Sequence, residues 1–166
     1  MSRARRRTGF SLIELIIVVV IIGIISAIAI PKMSRGARNA GANTLKMDLA
    51  VLRNAVELYA TEHDGKFPDA DIANQLTQYS NFTGTVTSPT KITGTSVVYG
   101  PYLKDIPPMP VGTTKGDKTF VIANLIADVP PSDSAAGWWF NTANTTVRAN
   151  LPDTDVDDDT AMYNTY

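Results

Sequence analysis

The sequence predicts an α+β protein in which one long N-terminal helix, half of it membrane-length, packs its second half on a small antiparallel β-sheet. Three observations carry this. Phe10 to Ile30 form an apolar run whose only charge is Glu14. Ala42, Leu45, Leu49, Leu52, Val56 and Tyr59 then recur at spacings of three and four, the pattern of one helix face. Finally, Thr119–Ala123, Trp138–Asn141 and Thr145–Ala149 are β-prone, and a Thr-Ala-Asn turn between the last two reads as a hairpin.

Length and charge narrow the classes of function. The 166 residues suit one membrane segment and one modest globular domain. No cysteine is present, so disulfides, thiolate zinc sites and thiol catalysis are excluded. Arg3, Arg5, Arg6 and Arg7 supply four of the 15 basic residues, and without them 11 bases face 16 acids, a net charge of −5. That balance does not suggest a nucleic-acid partner. His63 is the sole histidine, and no nucleophile elbow or phosphate-binding Gly-Lys loop occurs, so no enzyme is expected. Beside Asp64 at a helix end, His63 reads as a surface group meeting the helix dipole.

The apolar run matches the ~20 residues that cross a bilayer as a helix. The arginines before it favour a cytoplasmic N-terminus, although Lys32, Arg35 and Arg38 follow on the far side. Read from the residues alone, the segment is either a secretory signal with an Ala27-Ile28-Ala29 cleavage site or an anchor. The run exceeds the usual signal core of about 7–15 residues. Glu14 is the awkward group. A carboxylate at mid-membrane costs ~2.5–3.5 kcal/mol, much of it avoidable by snorkelling from the first helical turn, and such residues mark function.

Gly9-Phe10-Ser11-Leu12-Ile13-Glu14-Leu15, with Gly23 and Ala27-Ile28-Ala29-Ile30-Pro31 beyond, resembles the signature of the type IV prepilin and pseudopilin family. The resemblance implies a leader at residues 1–9, cleavage between Gly9 and Phe10 by a prepilin peptidase, and methylation of the new Phe10 amine. It further implies that Glu14 neutralises the Phe10 ammonium of a neighbouring subunit during assembly. Residues 10–31 form the membrane and assembly helix, with a kink expected around Gly23 and Pro31, since proline removes one helical hydrogen bond.

Residues 32–65 form an amphipathic stalk whose apolar stripe is widened by Met47, Val51 and Leu58, with Gly65 and Pro68 as the stop. Residues 66–152 form the globular α+β domain. Asp71 can cap a short helix with Ile72, Leu76 and Tyr79 on one face. The Thr-rich stretch 81–100 reads as loop or weak strand, and Gly100 to Pro110 as a proline-stiffened connector. Trp138 and Trp139 should point to opposite faces of their sheet, one onto the stalk and the other toward solvent or a neighbour.

Residues 153–166 read as a solvated acidic tail. Asp153, Asp155 and Asp157 begin like an EF-hand loop, but position six is Asp158 and position twelve Asn164. Calcium is the candidate ion, with Asp128 and Asp133 as further ligands.

The globular half resembles the major (G-type) pseudopilins of type II secretion. The resemblance rests on Glu57-Leu58-Tyr59, Gly65-Lys66-Phe67-Pro68, Tyr102-Leu103 and Gly137-Trp138-Trp139-Phe140-Asn141. It departs at Met109-Pro110-Val111-Gly112, where an Asp-Pro step is usual, and in lacking a recognisable Gly-rich calcium loop. Such a resemblance implies a non-enzymatic filament subunit. It is anchored in the inner membrane with its N-terminus in the cytoplasm, and later lies in a periplasmic or cell-surface filament. The implied partners are prepilin peptidase, identical and minor pseudopilin subunits, the inner-membrane assembly platform and the membrane itself. The alternatives are a type IV pilin for adhesion, motility or DNA uptake, and a membrane-anchored calcium- or ligand-binding module.

Overall fold

The computed structural model describes residues 10–92, 94–126, 130, 136–157 and 160–166. Two compact units divide the chain, residues 1–37 and 38–166. Helix α1 runs Leu12–Glu62 and contributes to both. Its Leu12–Ile30 stretch is apolar on every side apart from Glu14, and none of that stretch is buried among the described residues. Such a helix is stable only in lipid or against other apolar helices.

In the second unit α1 is amphipathic. Leu45, Leu49, Leu52, Val56 and Tyr59 are buried in one core with Ile72, Leu76, Met109, Trp138, Phe140 and Val147. Met47, Val51 and Leu58 do not widen this stripe; they are 66%, 47% and 50% exposed. At about 100° per residue they fall within a narrow arc roughly 150° away from the centre of the core-facing stripe. The helical phase of these positions in the sequence already separates the two stripes, although both obey the same period. The helix stops where Gly65, at φ 76°, donates its N–H to Ala60 O at 2.8 Å, a left-handed cap that glycine adopts without strain.

The short helix α2 spans Ile72–Thr77 and buries Ile72 and Leu76. Asp71 holds its N-cap position but its carboxylate bonds the Asn74 side chain at 2.8 Å, not a backbone N–H. Tyr79 lies beyond the helix, in β1 (Tyr79–Ser80), which pairs antiparallel with β2 (Thr87–Ser88). From Gly100 to Pro110 there is neither helix nor strand, and the Gly100–Pro101 peptide is cis.

The second sheet has the order β3-β4-β5, comprising Phe120–Ala123, Trp138–Asn141 and Thr146–Ala149. β4 and β5 form the expected antiparallel hairpin, but β3 runs parallel to β4, making the sheet mixed. The parallel pair needs a crossover, and residues 124–137 supply it. Trp138, Phe140, Val147 and Ala149 alternate onto the core face. Trp138 donates its indole N–H to Pro107 O at 2.8 Å, so the connector satisfies the one polar atom in that core position. Trp139, on the other face, is also fully buried instead of meeting solvent. Its indole nitrogen has no hydrogen-bond partner among the described residues.

His63 is likewise buried, not on the surface. Its ring stacks on Tyr59 at 3.8 Å and tilts against Tyr99 at 5.4 Å. Nδ1 lies 2.8 Å from Tyr59 O, which can only accept, so Nδ1 carries a proton; Nε2 meets Ser80 Oγ at 3.0 Å. The end of α1 is thereby fastened to β1. Burial pushes the neighbouring Tyr59 phenol up to about 12, helped by the charge of Asp69.

Trp138→Ala in the full chain, held in detergent micelles, should cost about 3–5 kcal/mol of stability. Met47→Ala, on the exposed arc, should stay within about 0.5 kcal/mol. Denaturant melts followed by circular dichroism compare the two; equal losses would contradict the assignment of the core face.

Candidate assembly site and the acidic segment

Glu14 stands in the first turn of α1 and is exposed. Its Oε2 accepts the Ser11 backbone N–H at 2.8 Å, while Leu15 donates to Ser11 O at 3.3 Å. Ser11 therefore holds the N-cap position and Glu14 reaches back over it, one half of a capping box. The carboxylate also faces the positive end of the helix dipole. The Ser-x-x-Glu spacing could have revealed this contact from sequence. The Glu14 carboxylate thus already has one backbone donor within its own chain, and Oε1 has no partner among the described residues.

Phe10, 77% exposed, precedes Ser11, so the backbone nitrogen of Phe10 lies one residue ahead of the N–H that Glu14 already binds. Gly9 lies outside the described residues, as does the remainder of residues 1–9. Gly23 and Pro31 both fall within α1, which is assigned as helix through both positions. Apart from the adjoining helix backbone, no atom of the described residues lies within 4 Å of where a Cβ on Gly23 would stand, so these residues do not require glycine there.

The segment after β5 is not a solvated tail. Leu151, Tyr163 and Asn164 are buried, and Val156 bridges Met162. A 3-10 turn at Tyr163–Thr165 is held beside β5, where Arg148 Nη1 donates to Thr165 O at 3.2 Å. Arg53 on α1 donates to Val147 O at 2.9 Å and to Tyr166 O, and Lys46 Nζ sits 4.3 Å from the centre of the Tyr166 ring. Nothing in the local sequence marked Arg53 for this role, because its partners are 94 and 113 residues away.

This docking also engages the candidate calcium ligands. Asp153 accepts from Asn164 Nδ2 at 2.7 Å, Asp155 from the Thr113 backbone N–H at 2.9 Å, and Asp157 from the Ala161 N–H at 2.9 Å and the Tyr166 hydroxyl. Among the described residues no group of three or more potential metal ligands converges, so these three carboxylates do not form a cage. Asp128 and Asp133 lie outside the described residues. Elsewhere, Asp117 accepts from the Thr119 hydroxyl and backbone and from the Gly137 N–H, joining the approaches to β3 and β4. Those bonds, the Thr119 hydroxyl foremost, hold its carboxyl below the usual range.

Comparison with known proteins gives these features a context. The model of the prokaryotic N-terminal methylation motif matches residues 4–30. The chain is 29% identical to type II secretion system core protein G of Vibrio cholerae over 134 residues, covering 77% of this chain and 86% of that protein. It is 43% identical to prepilin peptidase-dependent protein D of Escherichia coli over 36% of this chain and 41% of the relative. With the type IV major pilin protein PilA of Myxococcus xanthus it shares 39% identity over 43% of this chain and 31% of that pilin. The chain thus spans most of the first relative and less than half of the other two. No solved structure matches the chain.

Proposed function

Because this chain belongs to the type IV pilin and pseudopilin family, we propose that it is a structural subunit of a type II secretion pseudopilus, a periplasmic filament that helps to export proteins. The observation that carries the proposal is a carboxylate, Glu14, in the first turn of an apolar helix that no other described residue buries.

The chemistry runs in order along the chain. The arginines before Gly9 hold the N-terminus on the cytoplasmic side of the inner membrane, where prepilin peptidase hydrolyses the Gly9–Phe10 bond. The new Phe10 amine is then methylated and keeps its positive charge. In lipid that ammonium has few competing partners, so attraction to the Glu14 carboxylate of a neighbouring subunit far exceeds its value in water. The helix thereby leaves lipid for a bundle of like helices at the assembly platform, joined by identical and minor subunits. The protein's role in this reading is mechanical, and no residue is assigned a catalytic task. Similarity to the Myxococcus pilin favours a second reading, a surface pilus subunit, which uses the same assembly step.

Glu14→Gln and Glu14→Ala separate charge from capping, since Gln can still accept the Ser11 N–H. Both variants should insert and be cleaved, and both should lose filament yield by about tenfold or more, equivalent to ~1.4 kcal/mol or more per assembly step. Cross-linked periplasmic filament against the membrane pool of monomer measures this; normal assembly of Glu14→Gln would contradict the charge-pairing role.

Calcium binding by Asp153, Asp155 and Asp157, with Asp128 and Asp133 as further ligands, is proposed separately. Added calcium should raise the melting temperature and chelator reverse it. Superimposable melts would remove the site.

A further inference from the structure

The far end of the Leu12–Ile30 span carries charge that neither the fold nor the topology uses. Lys32 and Arg35 follow it within two turns of the same helix, and no Asp or Glu stands between Glu14 and Asp48. Lys32 is exposed and makes no ion pair among the described residues. Orientation does not account for these bases, since Lys and Arg on the translocated side work against the positive-inside rule.

Their depth does account for them. At 1.5 Å per residue the 19 residues of the span cover about 28 Å, close to the ~30 Å of a hydrocarbon core. Lys32 stands about 3 Å and Arg35 about 7–8 Å beyond Ile30 along the helix. The headgroup layer on each side of a bilayer is about 5–8 Å thick, so one base starts inside that layer and the other at its rim. Three positions apart, they are neighbours on one helix face, about 60° from each other. A guanidinium takes two phosphate oxygens in one fork, and an ammonium adds a compact charge beside it. Zwitterionic headgroups also carry phosphate, but their own ammonium offsets its charge, so the pair selects lipids of net negative charge.

We propose that Lys32 and Arg35 bind the phosphates of anionic phospholipid headgroups in the leaflet opposite the Glu14 end, a contact that a subunit gives up on leaving the membrane. The proposal rests on the membrane placement in the reading above and adds a lipid class to it, independent of Glu14 and of any neighbouring subunit.

Because the chain has no native cysteine, Met33→Cys, at a position 75% exposed between the two bases, takes a single fluorophore. The labelled full chain is reconstituted in phosphatidylcholine vesicles. Quenching by phosphatidylglycerol spin-labelled high on its acyl chain is then compared with quenching by phosphatidylcholine labelled in the same way. The chain with both bases should favour the anionic lipid. Lys32→Gln and Arg35→Gln should each lower that preference about fivefold, the loss expected for one base near an anionic surface, while Arg35→Lys should keep most of it. Equal quenching by both lipids with both bases present, or an unchanged preference in the double Gln variant, would overturn the contact. Loss of the preference on adding soluble glycerol phosphate at constant ionic strength would reveal a site for free phosphate and overturn the lipid assignment. No quenching by either lipid would place the helix outside the bilayer and overturn the membrane reading together with the contact. A clear anionic preference in a chain that assembles no filament would support the lipid contact and overturn the filament reading alone.

Discussion

The structure depends on one constraint: the Leu12–Ile30 segment of α1 is apolar on every side apart from Glu14 and is not buried by any of the described residues. Exposing each Ile or Val of that segment to water would forgo about 1.5–3 kcal/mol, so the helix must always have a non-aqueous environment. Lipid provides one and a bundle of like helices another. Transfer between the two costs little hydrophobic free energy, because hydrocarbon tails and aliphatic side chains solvate the helix about equally well. What can decide between lipid and bundle is therefore polar, and Glu14 is the only charged group in the segment.

The globular unit is stabilised without disulfides by a compact set of interlocking contacts. α1 packs on the core face of the β4–β5 hairpin, and the Pro107 carbonyl takes the indole N–H of Trp138. His63 and the tyrosines around it close one end of that core. At another boundary Arg53 ties the helix to β5 and to the C-terminal segment. These polar clamps bridge elements far apart in sequence, so they form only after the packed core has offset the loop-closure cost.

Most of the framework was legible in the sequence because its signals are periodic or strongly punctuated. The membrane helix, the core-facing stripe, the stop at Gly65 and the hairpin all come from spacing and turn chemistry. What escaped depended on tertiary context. The repeat alone did not set Met47, Val51 and Leu58 apart, but their phase about 150° from the core stripe was readable from the sequence. His63 and Trp139 looked suited to the surface, yet distant segments bury them. The acidic residues after β5 resembled a free tail because composition does not reveal that Asn164, Thr113 and Tyr166 would take their carboxylates. At the candidate assembly site, the place of Glu14 in the first helical turn was evident, while its bond to the Ser11 N–H lay in a capping spacing that its apolar setting obscured.

A filament structure resolved to side-chain detail tests the central claim most directly, through the distance from the Phe10 nitrogen of one subunit to the Glu14 carboxylate of its neighbour. The account predicts an ion pair, with nitrogen and oxygen within about 4 Å, in a core closed to water. A Glu14 that keeps only its own Ser11 N–H, with every neighbouring Phe10 amine paired elsewhere, would contradict it.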